Sequence, residues 1–333
     1  HFSLDPNKCR KHLMKKNLNV GVIGLGVGEQ HVMGYQQLKS VQVTDICDIN
    51  PEILKTVGDR NDISGRHEDY RMITENPEID IVSVASYDDN HVEQAISAFN
   101  NGKHVMLEKP IALNRKDSER LLKAQQDSGR LMTSNLILRQ SPRFKELKSW
   151  IEAGQFGDIV AIEGDYIHQI LWKLTKGWRG KMDFYCVTYG GGIHMIDLMR
   201  WLIGQEVVEV SGMSNKILTA DSSYKFDDMI MNLLRFEKGT LGRSMSNLGP
   251  QRTKIHGLNV YGTKQTFVND IPHARLFSGD QSHQETTITT PYPGVDKFDL
   301  IPDFVSAIEE NRQPAVPLTD IFRVMDICFA CYD

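Results

Sequence analysis

Val20-Gly21-Val22-Ile23-Gly24-Leu25-Gly26-Val27-Gly28 is the stretch on which the reading of this 333-residue chain turns. A mostly apolar run ends in a glycine, and helix-compatible sequence follows from Glu29 to Leu38. A strand that passes through a glycine-rich turn straight into a helix is the context in which a dinucleotide fingerprint has physical meaning. Gly24 allows the tight turn, and Gly26 lets the backbone approach a pyrophosphate with no Cβ in the way. The phosphate charge then lies over the helix amino terminus, where unpaired N–H groups and the positive dipole end are found. The third glycine of the usual G-x-G-x-x-G would fall at Glu29; Gly28 stands one residue earlier, so the loop departs from the pattern.

Working outward, Asp48 closes the next apolar run, Val41 to Cys47. Its distance from Gly24 is close to the ~20 residues expected of an acid that holds the adenosine ribose hydroxyls. A carboxylate there repels a 2′-phosphate, and neighbouring Ile49 and Asn50 add no positive charge, so the expected cofactor is NAD rather than NADP. The alternation continues: a helix over Pro51 to Val57, a strand over Ile79 to Ala85, a helix over His91 to Asn101, a strand over His104 to Leu107, a helix over Lys116 to Ser128 and a strand over Leu131 to Ser134. Repeated β-α units whose strands read as solid Val/Ile runs imply an α/β, Rossmann-type doubly wound parallel sheet. This unit is expected to span residues 1–135.

The second half has another rhythm. A helix over Phe144 to Ala153 precedes a strand beginning at Gly157, and His194 to Leu202 reads as a helix. Beyond Val207 the pattern is strand and turn, at Met229 to Glu237, Thr240 to Met245, Leu258 to Gly262 and Thr286 to Thr290, before closing helices at Ile301 to Glu310 and Thr319 to Tyr332. Strands grouped apart from helices imply an α+β domain, residues 136–333, with a mostly antiparallel open sheet. Such a sheet must cover its free face, so a homo-oligomer is expected.

Composition agrees with an ordinary globular protein: 40% hydrophobic and 24% charged residues. A formal net charge of −5 supplies no electrostatic reason for nucleic acid or an anionic membrane as partner. No apolar run approaches the ~20 residues of a bilayer span, and His1 to Lys16 does not read as a secretory signal. Five cysteines without a paired framework suit a reducing, cytoplasmic setting. Cys328 and Cys331 match C-x-x-C, yet their helical spacing reads as packing, and no histidine spacing suggests a metal site.

The chemical end is sought at the next strand's carboxyl terminus, where open α/β sheets place ligands. There His104-Val105-Met106-Leu107 runs into Glu108-Lys109-Pro110. Together with Gly102-Lys103-His104-Val105 and Gly191-Gly192-Ile193-His194-Met195-Ile196-Asp197, this resembles the Gfo/Idh/MocA oxidoreductase family over nearly the whole chain. The resemblance makes Lys109 and His194 the catalytic pair. Chemistry agrees, because a histidine near ~6.5 accepts a hydroxyl proton at neutral pH whereas a lysine near ~10.4 stays charged and can only donate. His194 is therefore expected to be the base and Lys109 the hydrogen-bonding orienter. Many family members carry an Asp four residues before the histidine. This chain has Gly190 there, and Tyr185, Tyr189 or Asp183 could supply a substitute polar group.

Cofactor contacts are expected from Gly24, Gly26, Gly28, Asp48, Ser86, His91, Glu108 and Asn135. Ser86 and His91 match the family's loop after the fourth strand, with Tyr87 and Asp88 replacing its usual Pro and Asn. The segment Lys173 to Lys181, with Trp178 and Arg179, resembles the family's substrate loop, where a flat aromatic and a guanidinium suit sugar faces and hydroxyls. Arg139, Tyr166 and Asp197 complete the substrate-side candidates, with Asp165 and His168 weaker ones. The implied activity is NAD-dependent hydride transfer to or from a secondary alcohol of a sugar, nucleotide-sugar or cyclic polyol. The alternatives are an NAD-using glycosidase and a cofactor-binding regulator on the same scaffold.

Overall fold

Strand and helix alternate through the first half of the computed structural model, which describes residues 17–279 and 284–332. The segment His1 to Lys16, read above for a signal, lies outside the described residues. β1 (Leu18–Ile23), α1 (Gly28–Gln36), β2 (Val41–Cys47), α2 (Pro51–Arg60), β3 (Gly65–His67), α3 (Arg71–Thr74), β4 (Ile81–Val84), α4 (His91–Asn100), β5 (His104–Leu107), α5 (Arg115–Ser128) and β6 (Met132–Ser134) follow in sequence. The strands form one parallel sheet in the order β3-β2-β1-β4-β5-β6. Strand order reverses between β1 and β4, so their carboxyl ends open a crevice, the usual ligand position in such sheets. Side-chain caps fix two helix starts: Asn50 accepts from the Glu52 and Ile53 amides ahead of α2, and Asn114 from the Asp117 amide ahead of α5. β3 and α3 were not expected. Gly65-Arg66-His67 is a half-buried edge strand with no apolar pattern to read.

The second half supplies α6 (Pro142–Glu152), β7 (Ile159–Ile167), α7 (Trp172–Thr175), α8 (Ile193–Ile203) and β8 (Val207–Asn215). It continues with β9 (Met229–Phe236), β10 (Leu241–Asn247), β11 (Ile255–Gly262), β12 (Gln265–Val268), β13 (Ala274–Ser278), β14 (Gln284–Ile288), α9 (Ile301–Glu310) and α10 (Leu318–Ala330). Its eight strands lie in the order β14-β13-β12-β11-β7-β10-β9-β8, antiparallel except for β7 beside β10. The β9–β10 hairpin turns at Gly239, whose φ of 89° favours glycine.

α8 crosses β7 closely because Gly164 has no side chain there; a Cβ would come within 2.9 Å of Met199 Sδ and 3.1 Å of Met195 Cβ. β9 alternates buried Ile230, Asn232, Leu234 and Phe236 with outward Met231, Leu233 and Arg235, so one face of the sheet carries the core and the other is open. The final helices return to the parallel sheet. α9 packs against α1, α10 packs against α5 and β6, and Thr133 of β6 donates to the Val316 carbonyl at 3.0 Å.

Candidate active site

A single cleft of about 1070 Å³ runs from the glycine turn to the face of the second sheet. At its nucleotide end Gly24 adopts φ 82°, and a Cβ there would sit 2.5 Å from the Ser86 backbone, so the turn after β1 can press against the end of β4 only with glycine. At Gly26 a Cβ would meet nothing within 4 Å. That open space lies beside the α1 amino terminus, and it is the room a pyrophosphate needs to approach backbone N–H groups. Asp48 reaches the same turn: one carboxylate oxygen accepts from the Leu25 amide at 2.8 Å and the other from the Asn50 amide at 2.9 Å.

Gly28, expected among the cofactor contacts, does another job. A Cβ there would lie 3.0 Å from Val22 Cγ1 and 3.4 Å from Ala85 Cβ, so its smallness lets α1 seat on the sheet. His91 is the next of the expected cofactor contacts. It lies at the cleft wall, but its ring nitrogens face the Pro110 carbonyl at 2.7 Å and the Ser86 carbonyl at 3.3 Å, which braces two loops. Ser86 lines the cleft and donates to Gln94 Oε1 at 2.6 Å.

Behind the cleft floor a buried polar network holds the end of β5. Glu108 Oε1 accepts from Asn135 Nδ2 at 2.6 Å and lies 3.2 Å from His31 Nε2, whose other nitrogen meets Ser83 Oγ at 2.8 Å. Burial alone would raise the Glu108 carboxyl; the His31 hydrogen bond and charge, the Lys109 ammonium and the Asn135 amide hold it down at about 2. Asn135 Nδ2 also donates to the Lys297 carbonyl at 2.8 Å, which leaves Asn135 Oδ1 buried and without a partner among the described residues. An acceptor so placed fits the amide donor of a nicotinamide carboxamide. His31 went unread in the sequence; its signal is an ionisable residue on the buried face of α1, beside Val32 and Tyr35.

Lys109 and His194 line the same cleft. Lys109 Nζ donates to the Gly190 carbonyl at 2.8 Å, which directs the ammonium toward the start of α8 and leaves further protons to give. Burial first, then the charges of Lys109, His256 and Lys254, push the His194 imidazole well below its usual range. Its Nδ1 has no partner among the described residues. Tyr166 stacks beside it at 6.3 Å between ring centroids, and the Tyr166 hydroxyl lies 3.2 Å from His168 Nδ1.

The structure chooses among the polar groups considered for Gly190. A Cβ on Gly190 would overlap the Tyr185 hydroxyl, so the phenol occupies the space a side chain at 190 would fill, and Tyr185 faces the cleft. Tyr189 and Asp183 point to a separate, smaller pocket lined by Phe184, Phe329 and Tyr332. At the mouth, Trp178 stacks on Tyr87 at 4.6 Å, and the Arg179 guanidinium lies 4.2 Å over Trp178. Arg179 also approaches Asp88 at 3.9 Å. Burial raises the Asp88 carboxyl against the opposing charges of Arg179, His91 and Lys109.

Two expected substrate residues lie elsewhere. Arg139 and Asp197 form a buried bidentate pair, at 2.5 and 2.9 Å, and Arg139 also binds Asp320 of α10 at 2.7 Å. Their hydrogen-bonding capacity is spent in tying α8 to α10. Asp165 likewise pairs with Arg243 on the sheet. Conversely, Lys254, His256 and Lys297 line the cleft without any motif that announced them.

These features define an NAD-binding oxidoreductase of Rossmann architecture. A family model described as "Oxidoreductase family, NAD-binding Rossmann fold" matches residues 18–136, and one described as "GFO/IDH/MocA C-terminal domain" matches residues 144–268. The chain belongs to the Gfo/Idh/MocA oxidoreductase family. Among similar proteins, the levoglucosan dehydrogenase of Pseudarthrobacter phenanthrenivorans is 26% identical over 284 residues, covering 74% of this chain and 70% of that one. The myo-inositol 2-dehydrogenase of Thermotoga maritima is 24% identical over 277 residues, covering 79% of each. A solved levoglucosan dehydrogenase, in complex with NADH and L-sorbose, superposes with a TM-score of 0.85 at 23% identity, covering 95% of this chain and 96% of that one. No helix among the described residues is long and apolar enough to cross a membrane.

Proposed function

We propose that the chain interconverts a secondary alcohol and a ketone on a sugar or cyclic polyol, with NAD preferred over NADP, His194 as base and Lys109 as holder of the oxygen. The observation that carries this is the convergence on one cleft of a half-buried ammonium and a neutral imidazole with a partnerless nitrogen. When bound, NAD supplies the hydride acceptor, C4 of its nicotinamide. Lys109 donates a hydrogen bond to the carbinol oxygen and stabilises the negative charge that grows as its proton leaves. His194 receives that proton, since its depressed basicity keeps it unprotonated at neutral pH. The Tyr185 hydroxyl donates to the substrate from the place where a side chain at 190 would stand. Asp48 favours NAD because its carboxylate already receives two backbone amides at the ribose end and would repel a 2′-phosphate. The dehydrogenase names of the relatives support the substrate class. The free thiols of Cys47, Cys186, Cys328 and Cys331 suit the cytoplasm, and the open sheet face suits a homo-oligomer.

Steady-state and pre-steady-state kinetics of Lys109→Ala and His194→Asn test the assignment. Each is expected to lower turnover by ~10²–10⁴-fold, the usual contribution of a positioned acid–base group. NADH affinity should change little, because neither residue lies at the pyrophosphate end. The double variant should cost far less than the product of the single losses. Since the imidazole titrates well below 6.5, kcat/KM for oxidation should stay level as pH falls through 6.5 and decline only below it. Near-normal turnover in His194→Asn places the base elsewhere.

A further inference from the structure

The substrate end of the cleft carries positive charge that its own carboxylates do not answer. Lys109, Lys173, Arg179, Lys254 and Lys297 all line it. Of the carboxylates in the same wall, Asp48 and Glu68 sit together at the nucleotide end, close to Cys47. Glu108 is engaged by His31 and Asn135, and Asp88 faces Arg179. Asp296 is exposed on the loop beside Lys297. No carboxylate of the described residues comes within 4.0 Å of the Lys173, Lys254 or Lys297 ammonium.

These cations bear on one another. Burial, then the charges of Arg179, Lys297, Lys109 and Lys254, bring Lys173 down to about 8. His168, half-buried and near Lys254, Lys173 and Lys297, falls to about 4, and His256, buried and near Lys254 and His168, to about 3. Like charges gathered along one cleft wall, with Lys173 half-buried and Lys254 and Lys297 exposed, raise the free energy of the empty protein, and they focus a field that attracts anions. The pyrophosphate of the cofactor does not account for them. Its room lies at Gly26 and the α1 amino terminus, whereas Lys173 belongs to α7, Lys254 stands just before β11 and Lys297 just before α9. Lys254 lines the same cleft as His194, and its charge is among those that lower the imidazole.

We propose that the alcohol substrate is an anion, a sugar or polyol acid or phosphate ester whose carboxylate or phosphoryl group is held by Lys173, Lys254 and Lys297 while Lys109 and His194 address its carbinol. This rests on the dehydrogenase reading of the same cleft. The chemistry balances without involving the charged group: the C–H hydride passes to NAD, the O–H proton to His194, the carbinol becomes a ketone, and the anion leaves unchanged. The anion also bears on His194. Burial is the main reason His194 is weakly basic, and negative charge near Lys254 offsets one of the smaller contributions of the cations.

The test uses the protein saturated with NAD, so that the pyrophosphate seat is filled. Calorimetric titration compares matched sets, each a neutral hexose, its uronate and its 6-phosphate, in the gluco, galacto and manno series, with inorganic phosphate as a bare-charge probe. In at least one set the acid or the phosphate ester should bind about ten-fold or more tightly than the neutral sugar, and this preference should shrink with added salt. The uronate and phosphate arms tell which anion the site takes. Lys254→Gln and Lys173→Gln should each weaken binding of the anionic ligand about ten-fold, the scale of one charge-assisted hydrogen bond. Lys55→Gln, on the exposed surface of α2, should change nothing.

Should no sugar in the sets bind, saturable phosphate binding that is lost in Lys254→Gln supports the proposal. Neutral sugars binding as tightly as their acids, or no saturable binding of any anion, overturns it. NADH formation is read in parallel. Turnover of neutral sugars with no acid preference overturns only the charge proposal, and tight acid binding with no NADH from any sugar overturns only the dehydrogenase reading.

Discussion

Replacing Gly26 by alanine should remove NAD binding without harming the fold, while the same change at Gly24 should do the reverse in order of severity. At Gly26 the backbone is in an ordinary region and a Cβ would touch nothing within 4 Å, so no protein atom must move. Such a glycine-to-alanine change stabilises the folded chain by about 0.4–1 kcal/mol through the unfolded state. The added methyl does, however, fill the space through which a pyrophosphate oxygen reaches a backbone N–H. One charge-assisted hydrogen bond is worth ~1.5–3 kcal/mol, so the NADH dissociation constant should rise roughly 10- to 150-fold. At Gly24 the φ of 82° costs an alanine ~1–2 kcal/mol. The clash with the Ser86 backbone adds to this, because backbone atoms cannot rotate aside. A total near ~3 kcal/mol would lower Tm by about 4 °C or more. Thermal melts of the ligand-free variants, with NADH fluorescence titrations, separate the two effects. The reasoning fails if Gly26→Ala binds NADH like the parent, or if it loses affinity only together with a comparable fall in Tm.

Asp48→Ala should narrow the NAD-to-NADP affinity ratio about ten-fold while also weakening NAD, since the Leu25 amide loses its acceptor; equal affinity for the two cofactors in the parent protein contradicts the assignment. Arg139→Leu strands Asp197 in the interior and should destabilise by ~3–5 kcal/mol, with Arg139→Leu/Asp197→Leu less harmful. An unchanged melt with a raised KM would instead return Arg139 to the substrate. Light scattering should give a homo-oligomer through the open sheet face, where Met213 and Leu233 are exposed by 84% and 61%, and Leu233→Glu should dissociate it; a monomeric parent refutes this.

How much of this was legible follows from how local each signal is. The parallel sheet could be read because its strands are short apolar runs bounded by glycines and helices, and Val41–Cys47 and His104–Leu107 begin and end where the sequence places them. Lys109 and His194 could be read because their neighbours form patterns along the chain. Arg139 and Asp197 were misplaced because a charged residue looks the same in sequence whether it faces a ligand or a partner 58 residues away. Lys254 and Lys297 stand on loops with no periodicity, and only the folded chain brings them to one cleft wall.

Gly190 shows what such a reading misses and what it leaves for chemistry to supply. Read along the chain, the position is a missing carboxylate near His194, the proposed base. In space it is filled: the Tyr185 hydroxyl enters it across the π-helical turn Thr188–Gly192. The replacement is not equivalent, because burial raises the phenol's pKa and keeps it a neutral donor. A phenol there gives a hydrogen bond but no negative charge, so nothing at 190 supports the imidazolium that His194 becomes on taking a proton. Lys109 and Lys254 oppose that charge further. Burial lowers His194 most, and a negative charge arriving with the reactant would offset the part of the depression that comes from the cations. The Tyr185–Gly190 exchange and the lysines without carboxylate partners both fit the anionic substrate proposed above.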